Sequence, residues 1–293
     1  MARRSIREVI YKMNTRNKNI KIILMLIPVM LLISLCVFGM LICILQVFFD
    51  SNGSINFSRF LNVINNKTFI RSFIHTFYIS IIQSLISIII SFLVSYYLLK
   101  NRINNRLLYV PISIPHIVVA MFTIYLFAKN GLISHMLHNF GIIKEASNFI
   151  SIINDKYGIG VIIAYVFKSS AYCLSVIYIA MRNVNNKYAE VAKVIGVDER
   201  EYVIGVIYPL LKKTLLFCFL IIFTYSFGAY EIPFLLGSSQ DKTLPILAYI
   251  EYLKPNLDSR TVSQTYNFIM FIIGIVSLLI YSTINKSVDK TYV

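Results

Sequence analysis

The chain has 293 residues, of which 57% are hydrophobic and only 14% are charged, so its composition differs strongly from that of an ordinary soluble domain. Its formal net charge of +15 could suggest a nucleic-acid partner, but the basic residues flank apolar segments, where they can meet anionic lipid headgroups. No compact basic domain with interleaved aromatic residues remains, which argues against nucleic acid and for membrane lipid as a partner.

Six apolar segments are long enough to cross a bilayer as helices, which takes about 20 residues. In chain order they cover residues 22–49, 73–99, 107–128, 157–181, 214–237 and 261–285. Two segments carry one formal charge each, Lys168 in the fourth and Glu231 in the fifth. The period-two alternation of a membrane β-barrel is absent from the sequence. We therefore predict an all-α integral membrane protein with six transmembrane helices.

Lys and Arg residues are distributed unequally between the two sides that six spans would create. Eighteen lie in the two termini, the turn between spans two and three and the loop between spans four and five, against nine in the other loops. This bias predicts that both termini and the fourth-to-fifth loop are cytoplasmic. The predicted organisation is a basic cytoplasmic tail (1–21), a first transmembrane helix (22–49), a membrane domain (73–285) and a cytoplasmic C-terminal tail (286–293).

The loop after the third span contains five apolar residues at helical spacing: Leu132, Ile133, Met136, Leu137 and Phe140. They predict a short amphipathic helix at the outer rim of the protein. This helix either contacts a protein that delivers the substrate or packs against the helix bundle, and the sequence leaves both alternatives open.

The loop between spans four and five has an internal design. Gly196 can adopt the left-handed conformation that ends a helix, and Asp198 and Glu201 have the spacing of an acidic capping box that begins a second helix. Two short helices bent at a glycine would make a rigid structure for another protein to grip. Four residues before the glycine recur at i, i+3, i+4 and i+7 and so predict one helix face: Tyr188, Val191, Ala192 and Ile195.

This loop resembles the EAA loop in permease subunits of ATP-binding-cassette importers. The family pattern is Glu-Ala-Ala, three residues, Gly, and a Pro thirteen positions after the Gly. Val191 replaces the first Ala, and Tyr208 replaces the Leu that usually precedes the Pro. The resemblance implies that residues 183–213 couple transport to an ATPase. The implied contact residues are Tyr188, Glu190, Val191, Ala192, Ile195, Gly196 and Pro209.

Two further segments resemble this family. Pro111 and Pro115 in the third span are similar to a proline pair common in these permeases, and two prolines four apart remove backbone donors, so we predict a gate or kink there. The stretch from Ser226 to Gly237 is similar to the branch that includes spermidine/putrescine, ferric iron, thiamine and phosphonate importers. Many relatives carry Pro where this chain has Ala171 in the fourth span.

The resemblance covers residues 73–285 and implies a type I permease fold in a bacterial plasma membrane. The implied partners are two ATP-binding subunits, a second permease (the same chain or a paralogue) and an extracytoplasmic substrate-binding protein. ATP and Mg²⁺ would be bound by the partner ATPase, because this chain has no Walker A loop. The sequence indicates no catalytic constellation, metal site or cofactor of its own.

Four residues are predicted to line the substrate path: Lys168, Tyr225, Tyr230 and Glu231. A carboxylate beside aromatic faces suits an ammonium group, so a polyamine-type substrate is expected, with iron, thiamine or phosphonate as alternatives. Lys168 and Glu231 could instead form a structural ion pair, or the lysine could snorkel. The alternative function is an ion-gradient-driven secondary transporter, which usually needs intramembrane carboxylates, and the proposed spans offer only Glu231.

Overall fold

The structure, a computed structural model, describes residues 2–49, 57–103, 106–150 and 152–289. Short 3₁₀ turns precede α4 and follow α6, and a π-helical turn at Val203–Ile207 joins α8 to α9. The described residues form these α-helices: α1 (Ala2–Phe48), α2 (Phe57–Ile64), α3 (Lys67–Lys100), α4 (Val110–Ser113), α5 (His116–Phe127), α6 (Leu132–Asn139), α7 (Ile159–Val194), α8 (Glu199–Tyr202), α9 (Tyr208–Gly228), α10 (Glu231–Leu236), α11 (Leu244–Leu253) and α12 (Leu257–Asp289).

Six helical segments of the described chain are long and apolar enough to cross a membrane. This confirms the predicted number of spans, although several bounds differ from those expected. The segments are Leu24–Phe48, Lys67–Lys100, His116–Asn139, Ile159–Val194, Glu199–Gly228 and Asp258–Ile284.

The chain divides into two units, residues 1–59 and 60–293. In the first unit, α1 is one helix of 47 residues that includes both the predicted basic tail and the predicted first span, with Pro28 inside it. Its segment Leu24–Phe48 has a mean hydropathy of 2.8. The predicted boundary between residues 21 and 22 therefore falls inside a continuous helix, and the domain boundaries stay predictions.

The second unit is built around α3, which packs against α7 and α9. The side of α3 that faces them carries small polar residues at every third or fourth position, and small side chains let helices approach closely. Gln83 interrupts this row and is fully buried; its Nε2 donates to Ser226 Oγ at 2.8 Å and to the Ile222 carbonyl at 3.2 Å. The row consists of Ser72, Thr76, Ser80, Ser84, Ser87, Ser91 and Ser95.

The third span differs from its prediction because its helix is interrupted. Ile114 and Pro115 have extended backbone conformations, with ψ of 127° and 146°, so α4 ends at Ser113 and α5 begins at His116. The apolar segment then continues through α5 and α6, so the predicted span at 107–128 is shifted toward the C-terminus. The predicted amphipathic helix is present as α6, while Phe140 lies just beyond it and is exposed.

The loop after α10 contains a helix that was not predicted. Helix α11 packs against α12, and its first residue, Leu244, is fully buried. The Leu244 backbone N–H donates to Thr76 Oγ1 of α3 at 2.8 Å. Arg71 of α3 also forms an ion pair with the buried carboxylate of Asp241. A backbone hydrogen bond and an ion pair therefore attach the segment between α10 and α11 to α3.

Candidate coupling loop and translocation path

The turn at Gly196 is a Schellman motif, the hydrogen-bonded ending in which a left-handed residue closes an α-helix. Gly196 has φ of 76°. Its N–H donates to the Lys193 carbonyl at 3.2 Å, and the Val197 N–H donates to the Ala192 carbonyl at 3.0 Å. Val197 and Ala192 also share one apolar cluster. The prediction that Gly196 ends a helix is confirmed.

The second helix begins as its sequence predicts. Asp198 Oδ1 accepts the backbone N–H of Glu201 at 2.7 Å, which is the N-cap bond of a capping box. The helix before the glycine is not short, however, because it is the end of the 36-residue α7. The prediction of two short helices is therefore wrong for the first one, since the fourth span continues into the motif without a break.

The four residues predicted to share one helix face are divided by the structure. Tyr188, Val191 and Ile195 are exposed, whereas Ala192 is buried in the cluster that contains Tyr202. This cluster also contains Ile207, so Ala192 packs with residues of α8 and of the π-helical turn. The coupling loop, residues 183–213, also exposes apolar residues that the motif comparison missed. Its exposed large apolar side chains are Tyr188, Val191, Val194, Ile195, Ile204, Tyr208 and Leu210.

Pro209 lies at the start of α9, directly after the π-helical turn. A proline inside an α-helix removes a donor and its ring clashes with the carbonyl four residues earlier, here Gly205. In the π turn, the Tyr208 N–H donates to the Val203 carbonyl, five residues earlier. The wider turn accommodates the proline, so α8, the π turn and α9 form one continuous helical segment.

Glu190, the first residue of the predicted motif, is exposed on α7.

Lys168 extends from α7 to the interruption between α4 and α5. Its Nζ donates to the Ile114 carbonyl and lies 3.5 Å from the Ile112 carbonyl. The described ion pairs do not join Lys168 to Glu231, so the structural pair considered from the sequence is not formed. Instead, the ammonium group donates to backbone carbonyls at the end of α4 and in the extended segment that follows it.

His116 lies between two of the predicted path residues, Tyr225 and Glu231. Its Nε2 lies 2.7 Å from the Tyr225 hydroxyl, and its Nδ1 lies 3.8 Å from Glu231 Oε2. The Glu231 side chain is 57% exposed at the start of α10, after the fifth span has ended at Gly228 and the backbone has become extended at Ala229. Only the position of His116 directly after Pro115 could have indicated its role from the sequence.

Tyr230 belongs to a separate aromatic group. Its ring stacks on Phe234 with centroids 4.9 Å apart and lies 4.8 Å from the ring of Tyr249. The structure thus brings His116, Tyr225 and Glu231 together near the interruption that Lys168 contacts, whereas the recorded ring contacts of Tyr230 are with Phe234 and Tyr249. Within the described residues, His, Cys, Asp and Glu side chains form no group of three that could hold a metal ion.

A family model for binding-protein-dependent transport system inner membrane components matches residues 99–290. The chain belongs to this family. The matched region begins at the end of α3 and includes the coupling loop and the path residues. This inner membrane component is therefore a multi-pass membrane protein of a transport system.

Among curated proteins, the inner membrane component is similar to the probable transport system permease protein NifC of Clostridium pasteurianum. The two are 26% identical over 164 residues, which cover 55% of this chain and 54% of the relative. The chain thus spans about half the length of the curated relative that it matches.

Two solved structures share the fold. One is a bacterial ABC transporter involved in the import of the acidic polysaccharide alginate, with a TM-score of 0.70 and 16% identity over 90% of this chain and 94% of that chain. The other is the bacterial alginate ABC transporter in complex with an alginate pentasaccharide-bound periplasmic protein, with a TM-score of 0.68 and 16% identity over 90% and 93% of the two chains. These matches establish the type I ABC importer permease fold.

Proposed function

We propose that this inner membrane component is the permease subunit of an ATP-binding-cassette importer and that its coupling loop contacts a separate ATPase. The observation that carries the proposal is the Schellman turn at Gly196, which holds exposed apolar side chains in a fixed geometry. Val194 is 86% exposed and Ile195 is 70% exposed beside it. Apolar side chains held rigidly at the end of a long helix are suited to docking in a pocket of another protein.

The proposed orientation places the coupling loop and both termini in the cytoplasm, where an ATPase binds ATP and Mg²⁺. The excess of Lys and Arg supports this side. Lys100, at the end of α3, contacts Glu199, at the start of α8. Two of the segments rich in Lys and Arg, the turn after the second span and the coupling loop, therefore lie side by side. The membrane is the bacterial plasma membrane.

The complete transporter contains two ATPase subunits, a second permease chain or a second copy of this one, and an extracytoplasmic binding protein that delivers the substrate. Closure of the ATPase dimer on ATP moves the two coupling loops. Because α7 and the α8–α9 segment are continuous helices, this motion reaches the membrane interior and alternates access to the path.

The substrate class that we propose is a small amine cation of the polyamine type. Lys168 binds backbone carbonyls rather than Glu231, so the half-exposed carboxylate keeps its charge available for an ammonium group. Tyr225 adds a hydroxyl and an aromatic face next to His116, whose ring faces this carboxylate. The negative charge disfavours anions such as phosphonates, and ferric iron and thiamine are the remaining alternatives.

The test is ATP-dependent uptake by the purified complex. The tagged chain should bring down an ATPase subunit, and proteoliposomes containing the complex should take up radiolabelled spermidine only with ATP on the coupling-loop side and the binding protein on the other. Labelled thiamine, ferric iron and a phosphonate serve as competing probes. Uptake that needs no ATP and stops when a protonophore is added would establish the ion-gradient alternative instead.

A further inference from the structure

We propose that Lys168 is a positioning residue that fastens the interrupted third span to α7, so that movement of the coupling loop is transmitted to His116. This inference rests on the proposed function and adds the contact by which α7 would move the third span. Its basis is the pair of backbone carbonyls that the Lys168 ammonium group contacts.

Helix α4 ends at Ser113, and Pro115 has no N–H with which to continue the hydrogen-bond ladder. Backbone carbonyls at membrane depth require a partner, because lipid provides none. Lys168 supplies that partner to Ile114, and a cation at the carbonyl end of a helical turn is also favoured by the backbone dipoles.

An ammonium group has three N–H donors on a flexible four-carbon stem, so one lysine can contact both carbonyls. The described contacts of Lys168 Nζ are these two carbonyls, and they come from the chain segment on either side of Ser113. A charged side chain inside a membrane span is tolerated when it pairs with backbone carbonyls, and these contacts explain how the span accommodates Lys168.

Helix α7 runs from Ile159 to Val194 without a proline or a break. It therefore connects Lys168 to Ala192 of the coupling motif by about 36 Å of continuous helix, at about 1.5 Å per residue. A displacement applied at Ala192 arrives at Lys168 nearly undiminished, because a regular helix bends little over this length.

The residue that this connection between α7 and the third span would move is His116. Ile114 is two residues before His116, whose ring contacts Tyr225 and faces Glu231. Apolar packing between α5 and α7 also links these elements, through Val119 and Tyr165 among others. Such packing permits sliding, whereas the ammonium–carbonyl bonds fix the position of Ile114 along α7. Lys168 thus determines whether His116 moves together with α7.

The experiment measures the distance between α5 and α7 by electron spin resonance in the purified complex. Spin labels are attached at Met121→Cys and Ile179→Cys, two exposed positions on these helices, after the four native cysteines are replaced by alanine. Distances are compared between the nucleotide-free complex and the complex trapped with ATP and vanadate.

We expect one distance distribution in both states for the native Lys168 and for Lys168→Arg, which keeps the charge and the donors. Lys168→Met, which removes both, should shift or broaden the distribution on trapping, while ATPase binding is retained. Lys168→Gln keeps an N–H donor without the charge and should give an intermediate result. If Lys168→Met does not assemble, the comparison of Lys168→Gln with Lys168→Arg still decides the question.

Two outcomes separate this inference from the proposed function. A parent complex that contains no ATPase would overturn the proposed function. A complex that binds its ATPase and traps nucleotide, but whose α5–α7 distances do not change in Lys168→Met or Lys168→Gln, would overturn the role of Lys168 alone. A merely structural role would lower the melting temperature of the variants without any difference between the two nucleotide states.

Discussion

Lys100 Nζ lies 2.6 Å from Oε1 and 2.7 Å from Oε2 of Glu199, so one ammonium group binds both oxygens of a carboxylate that is 99 residues away in the sequence. The Tyr96 hydroxyl donates to the same Oε1 at 2.6 Å. These bonds join the last turn of α3 to the first turn of α8. The coupling loop is therefore attached to the core of the helix bundle as well as to its own flanking spans.

Exchanging the two charges tests this attachment. Lys100→Glu and Glu199→Lys should each reduce uptake, by no more than about fivefold because both side chains are half exposed and exposed pairs contribute little. The double variant should recover part of the loss. Equal losses in the single and double variants would show that the pair does not act as a unit. The measurement is initial uptake rate at low and high salt, and high salt should reduce the difference.

Gly196→Leu should disrupt the coupling loop. The left-handed conformation costs an ordinary residue about 1–2 kcal/mol, and Gly196 has φ of 76°. A Cβ atom would meet nothing within 4 Å at Gly196, so the effect comes from the backbone and not from a clash. We expect the variant to reach the membrane but to bind the ATPase more weakly and to lose uptake, as measured by copurification and transport.

Gly205→Ala is the matched control for Gly196. Gly205 also has open space around a Cβ atom, but it lies in the π turn without a left-handed φ. This control should retain ATPase binding and uptake.

Glu190→Arg should resemble Gly196→Leu, because it reverses a charge at the exposed start of the motif. Full ATPase binding and normal transport in Gly196→Leu would refute the coupling role.

Glu231→Gln tests the proposed amine site. The substitution keeps the shape of the side chain and removes its charge, so KM for labelled spermidine should rise at least about tenfold, the usual scale of a hydrogen bond to a charged group. Glu251→Gln is the control, because Glu251 pairs with Lys254 away from His116. Unchanged uptake and substrate preference in a folded Glu231→Gln protein would remove the support for a polyamine-type substrate.

Reporter fusions test the proposed topology. A reporter placed after Val293 should be cytoplasmic, and one placed after Gly237 should be on the opposite side of the membrane, because one more span, in α12, separates the two positions. Activity on the same side for both fusions would show that the number of spans between them is even.

Gln83→Leu should destabilise the helix bundle by about 1–2 kcal/mol, because it removes buried hydrogen bonds between α3 and α9 and leaves the Ser226 hydroxyl with fewer partners. The loss should appear as a lower melting temperature in detergent. Leu85→Ala, at an exposed position two residues along α3, should change the melting temperature less. An equal effect at both positions would contradict a specific role for the buried amide.

The sequence predicted features that depend on neighbouring residues along the chain. The number of apolar segments, the helix ending at Gly196 and the cap at Asp198 each depend on local spacing, and the structure has all three. The interruption at Pro115 also has a local cause, since proline lacks a backbone donor. Each of these features needs no knowledge of how distant segments pack.

Features that depend on distant partners were not predicted. Periodicity could not indicate that Lys168 contacts the Ile114 carbonyl or that Lys100 contacts Glu199, because these pairs are 54 and 99 residues apart. Periodicity placed Ala192 on one helix face with its apolar neighbours, but it could not show that Ala192 is buried against Tyr202. Helix α11 was missed because it is too short to cross a membrane and because its packing against α12 and α3 depends on distant segments.

The π-helical turn at Val203–Ile207 holds one residue more than an α-helical turn would need. Removing a single residue there would let the hydrogen bonds return to the ordinary i→i−4 pattern, with the proline then inside a regular helix. Everything on the N-terminal side would rotate by about 100° around the helix axis, the angle between successive residues at 3.6 per turn. The direction in which the Gly196 turn faces, relative to the fifth span, is therefore set by residue count and would change with a one-residue deletion that alters no contacting side chain.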